Sequence, residues 1–157
     1  MSRAPAWLRF TLGILACNAV GIAGAFFTST DTAWYQTLIK PSWQPPGWLF
    51  GPVWTLLYTL MGVAVVRVFD RRDEPGAVAA LWLFAAQLAL NGVWSPIFFG
   101  AEAIAVALVV IIVLVVLVAL TIRRFWAIDR VAGGLLLPYL AWITFATALN
   151  ATIVSLN

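Results

Sequence analysis

Five long apolar runs dominate the chain and are separated by shorter polar or proline-rich segments. Each run reaches the roughly 20 residues that an α-helix needs to cross a membrane. The runs are too long for strands and lack the alternating pattern of a membrane barrel. The pattern therefore predicts an all-α integral membrane protein, a five-transmembrane-helix bundle that forms a single domain over residues 1–157. The predicted spans cover residues 6–27, 50–68, 77–98, 102–123 and 131–154.

The connection between the first two spans, residues 28–50, is the only long one. Its segment 40–48 combines three prolines, which restrict the backbone, with two tryptophans, which favour the membrane–water boundary. We interpret the segment either as a lid over a cavity at the mouth of the bundle or as an interfacial anchor that only sets depth. A tight turn is predicted at 99–102. The candidate lid residues are Pro41, Trp43, Pro45, Pro46 and Trp48.

Lysine and arginine residues fall almost entirely on one side of the predicted bundle. If the N-terminus is inside, eight of the nine lie on that side and only Lys40 lies on the other. The asymmetry follows the positive-inside rule and supports an odd number of spans. It predicts, in a bacterial cell membrane, a cytoplasmic N-terminus and a C-terminus outside. The eight residues are Arg3, Arg9, Arg67, Arg71, Arg72, Arg123, Arg124 and Arg130.

A cleaved signal peptide is an alternative interpretation of residues 1–27, because two arginines precede an apolar stretch that ends in small residues. The stretch is long enough to span a membrane, however. It also contains Asn18 and a Gly21/Gly24 pair that suit helix packing. We therefore expect a retained first helix.

Composition agrees with a membrane location. Apolar residues make up 64% of the chain and charged residues only 10%, whereas soluble domains carry about 25% charged residues. The formal charge of +3 forms no basic patch, so no nucleic-acid partner is expected. The single cysteine, Cys17, allows no intrachain disulfide.

The residues that the sequence lacks narrow its chemistry. Without a histidine, the chain offers neither a histidine-ligated haem or zinc site nor a Ser/His/Asp or Cys/His nucleophile, and no metal site is expected. No acid or lysine lies at the centre of a predicted span, which argues against ion conduction and proton-coupled transport. We therefore expect a protein that binds its ligand with aromatic faces, amides and shape, without a fixed cofactor, rather than an enzyme.

Aromatic and amide side chains recur at i, i+4, i+7 on three predicted spans, a spacing that places them on one face of each helix. Superposed, these stripes predict a cavity lined by Trp54, Trp94 and Trp142, with a hydrogen-bonding amide from Asn91 and room left by Ala146. The alternative is ordinary interhelical packing. The stripes are Trp54, Tyr58 and Met61 on the second span, Gln87, Asn91 and Trp94 on the third, and Trp142, Ala146 and Leu149 on the fifth.

The remaining helix surfaces carry weaker signals. Residues 103–120 of the fourth span are almost entirely aliphatic, so we expect this span to face lipid or another helix and to matter little for specificity. On the third span, Ala85 and Ala89 lie on a different side from Trp94. These two alanines suit either a homodimer interface or exposure to membrane lipid.

Four segments together resemble the translocator protein family, also called tryptophan-rich sensory proteins. The segments are PSWQPPGW at 41–48, GPVWTLLY at 51–58, LNGVWSPIFFG at 90–100 and LPYLAWITFATALN at 137–150. Their order and the loop lengths between them are also similar to the family, so the resemblance covers essentially the whole chain.

The resemblance implies a five-helix bundle, often dimeric, that binds porphyrins such as protoporphyrin IX and synthetic benzodiazepine-type or isoquinoline ligands. Our leading hypothesis is a receptor for porphyrins that acts in tetrapyrrole transport, sequestration or stress sensing. Some bacterial members of the family degrade protoporphyrin in light and oxygen, and the tryptophans implicated match Trp54 and Trp142, which would then be catalytic. A third possibility is a structural bundle without a small ligand, which predicts a collapsed interior. The family's ligand positions fall on Trp54, Asn91, Trp94, Trp142, Ala146 and Leu149.

The sequence departs from the family pattern at two places. The cholesterol motif of mitochondrial members requires a tyrosine and a basic residue after the Leu-Asn pair that corresponds to 149–150, and neither follows here. Sterol binding at this place is therefore not expected. A tryptophan that animal members carry early in the fourth helix is replaced by aliphatic residues around Val106, so drug affinity need not carry over.

Overall fold

A computed structural model describes residues 4–157; Arg3, counted above among the basic residues, lies outside this range. Five helices in the described range are long and apolar enough to cross a membrane, which confirms the predicted bundle. The elements are α1 (Ala6–Ala25), α2 (Ala33–Thr37), a 3₁₀ turn (Gly47–Leu49), α3 (Phe50–Phe69), α4 (Ala77–Ser95), a π-helical turn (Pro96–Gly100), α5 (Ile104–Ile128), α6 (Arg130–Leu135) and α7 (Leu137–Leu156).

Three of the spans differ from the sequence prediction for local reasons. The third span continues into a π-helical turn at Pro96, because proline has no N–H to donate and the helix widens there. The tight turn predicted at 99–102 therefore begins later, and residues 101–103 connect the π-helical turn to α5. The fourth span extends to Ile128, where the extended backbone of Asp129 ends it. The fifth span is broken at Leu136, and Pro138 lies in the first turn of α7.

Packing along the bundle is pairwise. Helix α1 lies chiefly against α3, α4 lies against α5, and α5 lies against α7. The largest side chains that are almost completely buried are Tyr139, Phe125, Met61 and Leu114, and they come from α7, α5 and α3. These contacts hold the ends of α3, α4 and α7 that carry the aromatic stripes around one interior space.

Ion pairs join the helices at the end that carries most of the basic residues. The Asp129 carboxylate lies 2.9 Å from the Arg67 guanidinium and 3.2 Å from that of Arg71, and it accepts the N–H of Ala132 at the start of α6. Burial raises the pKa of Asp129, but the Ala132 N–H and the two guanidinium groups outweigh burial and hold the pKa below its ordinary value. Arg9 of α1 pairs with Asp70 at the end of α3. The first loop lies at the opposite end.

Candidate functional site

A cavity of about 470 Å³ lies between the helices at the end where the first loop packs. Its volume is within the range of about 300–1,000 Å³ that is typical of small-molecule sites. Trp54, Trp94 and Trp142 all line it, as the stripes predicted. Among the described residues, no two of these indole rings are in ring contact; each instead packs on phenylalanine or tyrosine. The collapsed interior that a purely structural bundle predicts is therefore not observed.

A chain of hydrogen bonds at the cavity floor holds Asn91 in place. The Tyr58 hydroxyl donates to Asn91 Oδ1, and Asn91 Nδ2 donates to the Tyr139 hydroxyl at 2.9 Å. The Trp54 ring rests on both tyrosines, with ring centroids 5.4 Å from Tyr58 and 6.2 Å from Tyr139. The sequence predicted that Asn91 supplies a hydrogen-bonding amide to the cavity, and two tyrosines already bond this amide. Asn91 thus fixes the aromatic floor, and its amide retains one further N–H and one further lone pair.

Trp94 is fixed by helix α5. Its Nε1 donates to the backbone carbonyl of Ala107 at 3.1 Å, and its ring stacks on Phe98 at 5.0 Å. The indole N–H is therefore committed to the protein. Trp94 offers a ligand its ring and not its N–H.

Trp142 differs from Trp94 because its Nε1 is buried without a hydrogen-bond partner among the described residues. Its ring packs on Phe50 at the start of α3, at 5.8 Å, and on Phe145 one turn along α7, at 5.6 Å. A buried donor without a partner is uncommon and costs about 1–3 kcal/mol. A carboxylate or carbonyl oxygen within hydrogen-bond distance of Nε1 would satisfy it.

The wall formed by α7 continues with small and polar residues. Ala146 and Leu149 line the cavity as the sequence predicted, and Asn150 joins them. Asn150 Nδ2 donates to the carbonyl of Ile104 at 3.0 Å, while its Oδ1 is buried and has no partner among the described residues. The resemblance did not single out Asn150, although its position next to the stripe was visible in the sequence.

Helix α5 contributes to the cavity wall, which its aliphatic sequence did not indicate. Ile111 and Leu114 line the cavity, while the expectation that the fourth span matters little for specificity stays a prediction. Val106, around which the resemblance implies that a tryptophan of animal members is replaced by aliphatic residues, is 54% exposed and is not among the cavity residues.

Gln87 lies outside the cavity lining, although it shares a helix face with Asn91. It is 1% exposed, and neither amide atom has a hydrogen-bond partner among the described residues. The face of α4 that carries both residues lines the cavity at Asn91. One turn closer to the start of the helix, at Gln87, the same face is packed in the core. Met61 is also fully buried. Ala85 and Ala89 are exposed on the outside of α4.

The first loop meets the cavity through residues other than the candidate lid residues. Tyr35, Gln44 and Gly47 line the cavity, and Gln44 Nε2 donates to the Tyr35 hydroxyl at 3.1 Å. Burial raises the pKa of Tyr35 above its ordinary value, while this hydrogen bond acts in the opposite direction. The candidate lid residues Pro41, Trp43, Pro45, Pro46 and Trp48 lie outside the lining.

The two loop tryptophans have different surroundings. Trp43 packs edge-on against Phe145 of α7, with centroids 5.7 Å apart. Trp48 is 73% exposed, as an interfacial anchor would be. The segment therefore has the features of both interpretations: one tryptophan holds the loop on the bundle, and the other points away from it.

Two residues of the cavity lining, one on α1 and one on α3, are also exposed at the surface of the bundle. Ile22 on α1, which is 60% exposed, and Thr55 on α3, also exposed, belong to its lining. Gly21 and Gly24 lie on the same stretch of α1 and also line the cavity. The cavity lining therefore extends to surface residues of α1 and α3.

Comparisons with known proteins place these features in one family. The model of the TspO/MBR family matches residues 13–156. The chain is 45% identical to the tryptophan-rich protein TspO of Chlorobaculum tepidum, over 96% of both chains. It is 42% identical to the tryptophan-rich sensory protein of Cereibacter sphaeroides, over 96% of this chain and 92% of the relative. It is 38% identical to the human translocator protein, over 94% of this chain and 89% of the relative.

Proposed function

This chain belongs to the TspO/MBR family, and we propose that its cavity binds porphyrins such as protoporphyrin IX, in tetrapyrrole transport, sequestration or stress sensing. The observation that carries the proposal is the separation of Trp54, Trp94 and Trp142 around one open space. Each offset contact between aromatic rings contributes about 0.5–1.5 kcal/mol beyond the burial of area. A flat macrocycle uses several such contacts at once.

Polar groups in the wall support a ligand that combines a flat ring with carboxylates. The Nε1–H of Trp142 has no partner among the described residues, and a propionate oxygen would accept it. The ring would lie between Trp54 and Trp142, under Gln44 and Gly47 of the first loop. The largely apolar lining suits a ligand that partitions into lipid.

The position of the cavity relative to the membrane is part of the proposal. In a bacterial cell membrane the arginine-rich end would face the cytoplasm and the first loop would face outward. The ligand would then be held in the outer half of the bundle. Cysteines introduced for labelling at Asp31 and Asp73, which are exposed at opposite ends, should react with an impermeant thiol reagent from outside and inside, respectively. The reverse pattern would refute this orientation.

Binding is tested by titrating purified protein with protoporphyrin in the dark and following tryptophan fluorescence. Trp54→Ala and Trp142→Ala should each weaken binding by about two- to tenfold, the equivalent of the lost ring contacts. Trp82→Ala is the matched control, because Trp82 is 73% exposed on the outside of α4 and should not affect affinity. Unchanged affinity in both cavity variants would overturn the proposal.

The same samples test the alternative of light- and oxygen-dependent breakdown. If the protein degrades porphyrin, illumination of the complex must bleach the porphyrin absorption bands faster than illumination of free porphyrin does. It must also yield a defined product. It would also have to depend on Trp142. Bleaching equal to that of free porphyrin would leave binding as the function.

A further inference from the structure

The side chain of Asn157 is paired with the backbone of Ile39 in the first loop. The Ile39 N–H donates to Asn157 Oδ1 at 2.9 Å, and Asn157 Nδ2 donates to the Ile39 carbonyl at 3.0 Å. A third bond, from Nδ2 to the carbonyl of Ile153 at 2.8 Å, holds the side chain on the last turn of α7. The primary amide thus offers Ile39 the donor and acceptor that a neighbouring strand would offer.

This pairing lies next to the part of the loop that contacts the cavity. Leu38 packs in a cluster with Leu149 and Ile153 of α7, and both of these α7 residues line the cavity. On the other side of Ile39, Lys40 Nζ donates to the Tyr35 carbonyl at 2.7 Å and lies 4.3 Å from the centroid of its ring. Because Tyr35 also lines the cavity, displacement of Ile39 would disturb two of its walls.

The loop has a second attachment to α7, the edge contact of Trp43 with Phe145. Gln44, between Trp43 and the 3₁₀ turn, reaches back to the Tyr35 hydroxyl. The loop around segment 40–46 is therefore attached to α7 at two points. Hydrogen bonds hold it at Ile39, just before the segment, and an aromatic contact holds it at Trp43. For a ligand to leave past the loop, one of the two attachments must open. The hydrogen-bonded one is exposed to solvent, where water competes for its groups.

We infer that Asn157 is a positioning residue for the ligand: by pairing with Ile39 it holds the first loop over the cavity and slows the exit of bound ligand. The inference rests on the proposed binding of porphyrin in the cavity. Asn157 is not among the cavity residues, so it acts through the loop. Loss of the Asn157 side chain should therefore change the rate of ligand release, while the contacts that the bound ring makes should change little.

The test measures the release of protoporphyrin from loaded full-length protein into an excess of empty liposomes. Asn157→Ala should release the pigment at least about fourfold faster, since it loses both hydrogen bonds to Ile39 and each lost bond changes an equilibrium by about two- to tenfold. Asn157→Asp keeps the shape and the acceptor but loses the donor to the Ile39 carbonyl, and should also release faster. Ser155→Ala is the matched control, because Ser155 donates to the carbonyl of Thr152 in its own helix and, within residues 4–157, bonds no part of the first loop.

Hydrogen exchange of the protein without ligand supplies a second measurement, which reports on the attachment of the loop at Ile39. Peptides that contain Ile39 should exchange faster in Asn157→Ala, while those in α5 should not change. Release at the wild-type rate from a variant that binds normally would overturn the inference and leave the proposed function intact. Absence of porphyrin binding in the wild type would instead overturn the proposed function, and the inference with it.

Discussion

The backbone of Gly62 in α3 lies against the backbone of Ile14 in α1, without a side chain between them. A Cβ added to Gly62 would be 2.5 Å from Ile14 Cα and 2.7 Å from the carbonyl oxygen of Gly13. Close approach of this kind is what small residues allow between membrane helices, where dispersion contacts and not water drive association. The contact sets the distance between two helices that both line the cavity.

Gly62→Ala should therefore destabilise the bundle by about 1–3 kcal/mol, because backbone atoms cannot move aside as a flexible side chain can. Thermal unfolding of purified protein in detergent measures the effect. Gly51→Ala in the same helix is the matched control: nothing lies within 4 Å of its added Cβ, and it should be neutral or stabilise by up to about 1 kcal/mol. Equal unfolding temperatures for the two variants would contradict the close approach.

Asp129 should stabilise the arginine-rich end in a pH-dependent way. Its folded pKa is lowered from 3.8, so its contribution is complete above that pH and is lost as the pH falls through the folded value. Asp129→Asn keeps the acceptor for the Ala132 N–H but removes the charge that Arg67 and Arg71 face. We expect a loss of about 1–3 kcal/mol at pH 7, moderated by the partial exposure of both arginines.

Unfolding of the wild type and Asp129→Asn, followed from pH 7 to pH 3, tests this account. The difference between them should be constant down to about pH 5 and shrink below about pH 4 as the wild-type carboxylate takes up a proton. Asp31→Asn, in the exposed part of the first loop, should change stability little. A stability difference between the wild type and Asp129→Asn that grows on acidification would contradict the lowered pKa of Asp129.

Gln87→Leu should stabilise the protein without affecting ligand binding. The amide of Gln87 is buried with both polar atoms unpartnered among the described residues, and replacing it with an apolar side chain of similar size removes a cost of about 1–3 kcal/mol. Because Gln87 is outside the cavity lining, the affinity for protoporphyrin should equal that of the wild type. A loss of affinity would return Gln87 to the ligand site, where the sequence placed it.

The outcome for Gln87 illustrates what a helical pattern predicts. The spacing i, i+4 correctly places Gln87 and Asn91 on one face of α4. The pattern has no information on depth, however, and one turn separates an open cavity from a packed core. Long apolar spans are predictable because the thickness of the membrane sets their length. Where the interior is left open depends on the fit between faces of different helices.

Two other features could not be predicted from the sequence, for related reasons. Ile111 and Leu114 are aliphatic like their neighbours on α5, so no property distinguishes the residues that face the cavity from those that face lipid. The path of the first loop depends on the pairing of Ile39 with Asn157, which are 118 positions apart. Proline and tryptophan content predicted a stiff segment in contact with the membrane boundary, but only the folded chain places Gln44 and Tyr35 at the cavity.

If the space among the three tryptophans is the ligand site, a large side chain placed in that space should block binding. Ala146 lines the cavity, whereas Ala148, on the same helix, is exposed on the outside of the bundle. Protoporphyrin binding, measured by tryptophan quenching in the dark, should be lost or weakened at least about tenfold in Ala146→Trp and retained in Ala148→Trp, with both variants folded. Wild-type affinity in folded Ala146→Trp would contradict the account.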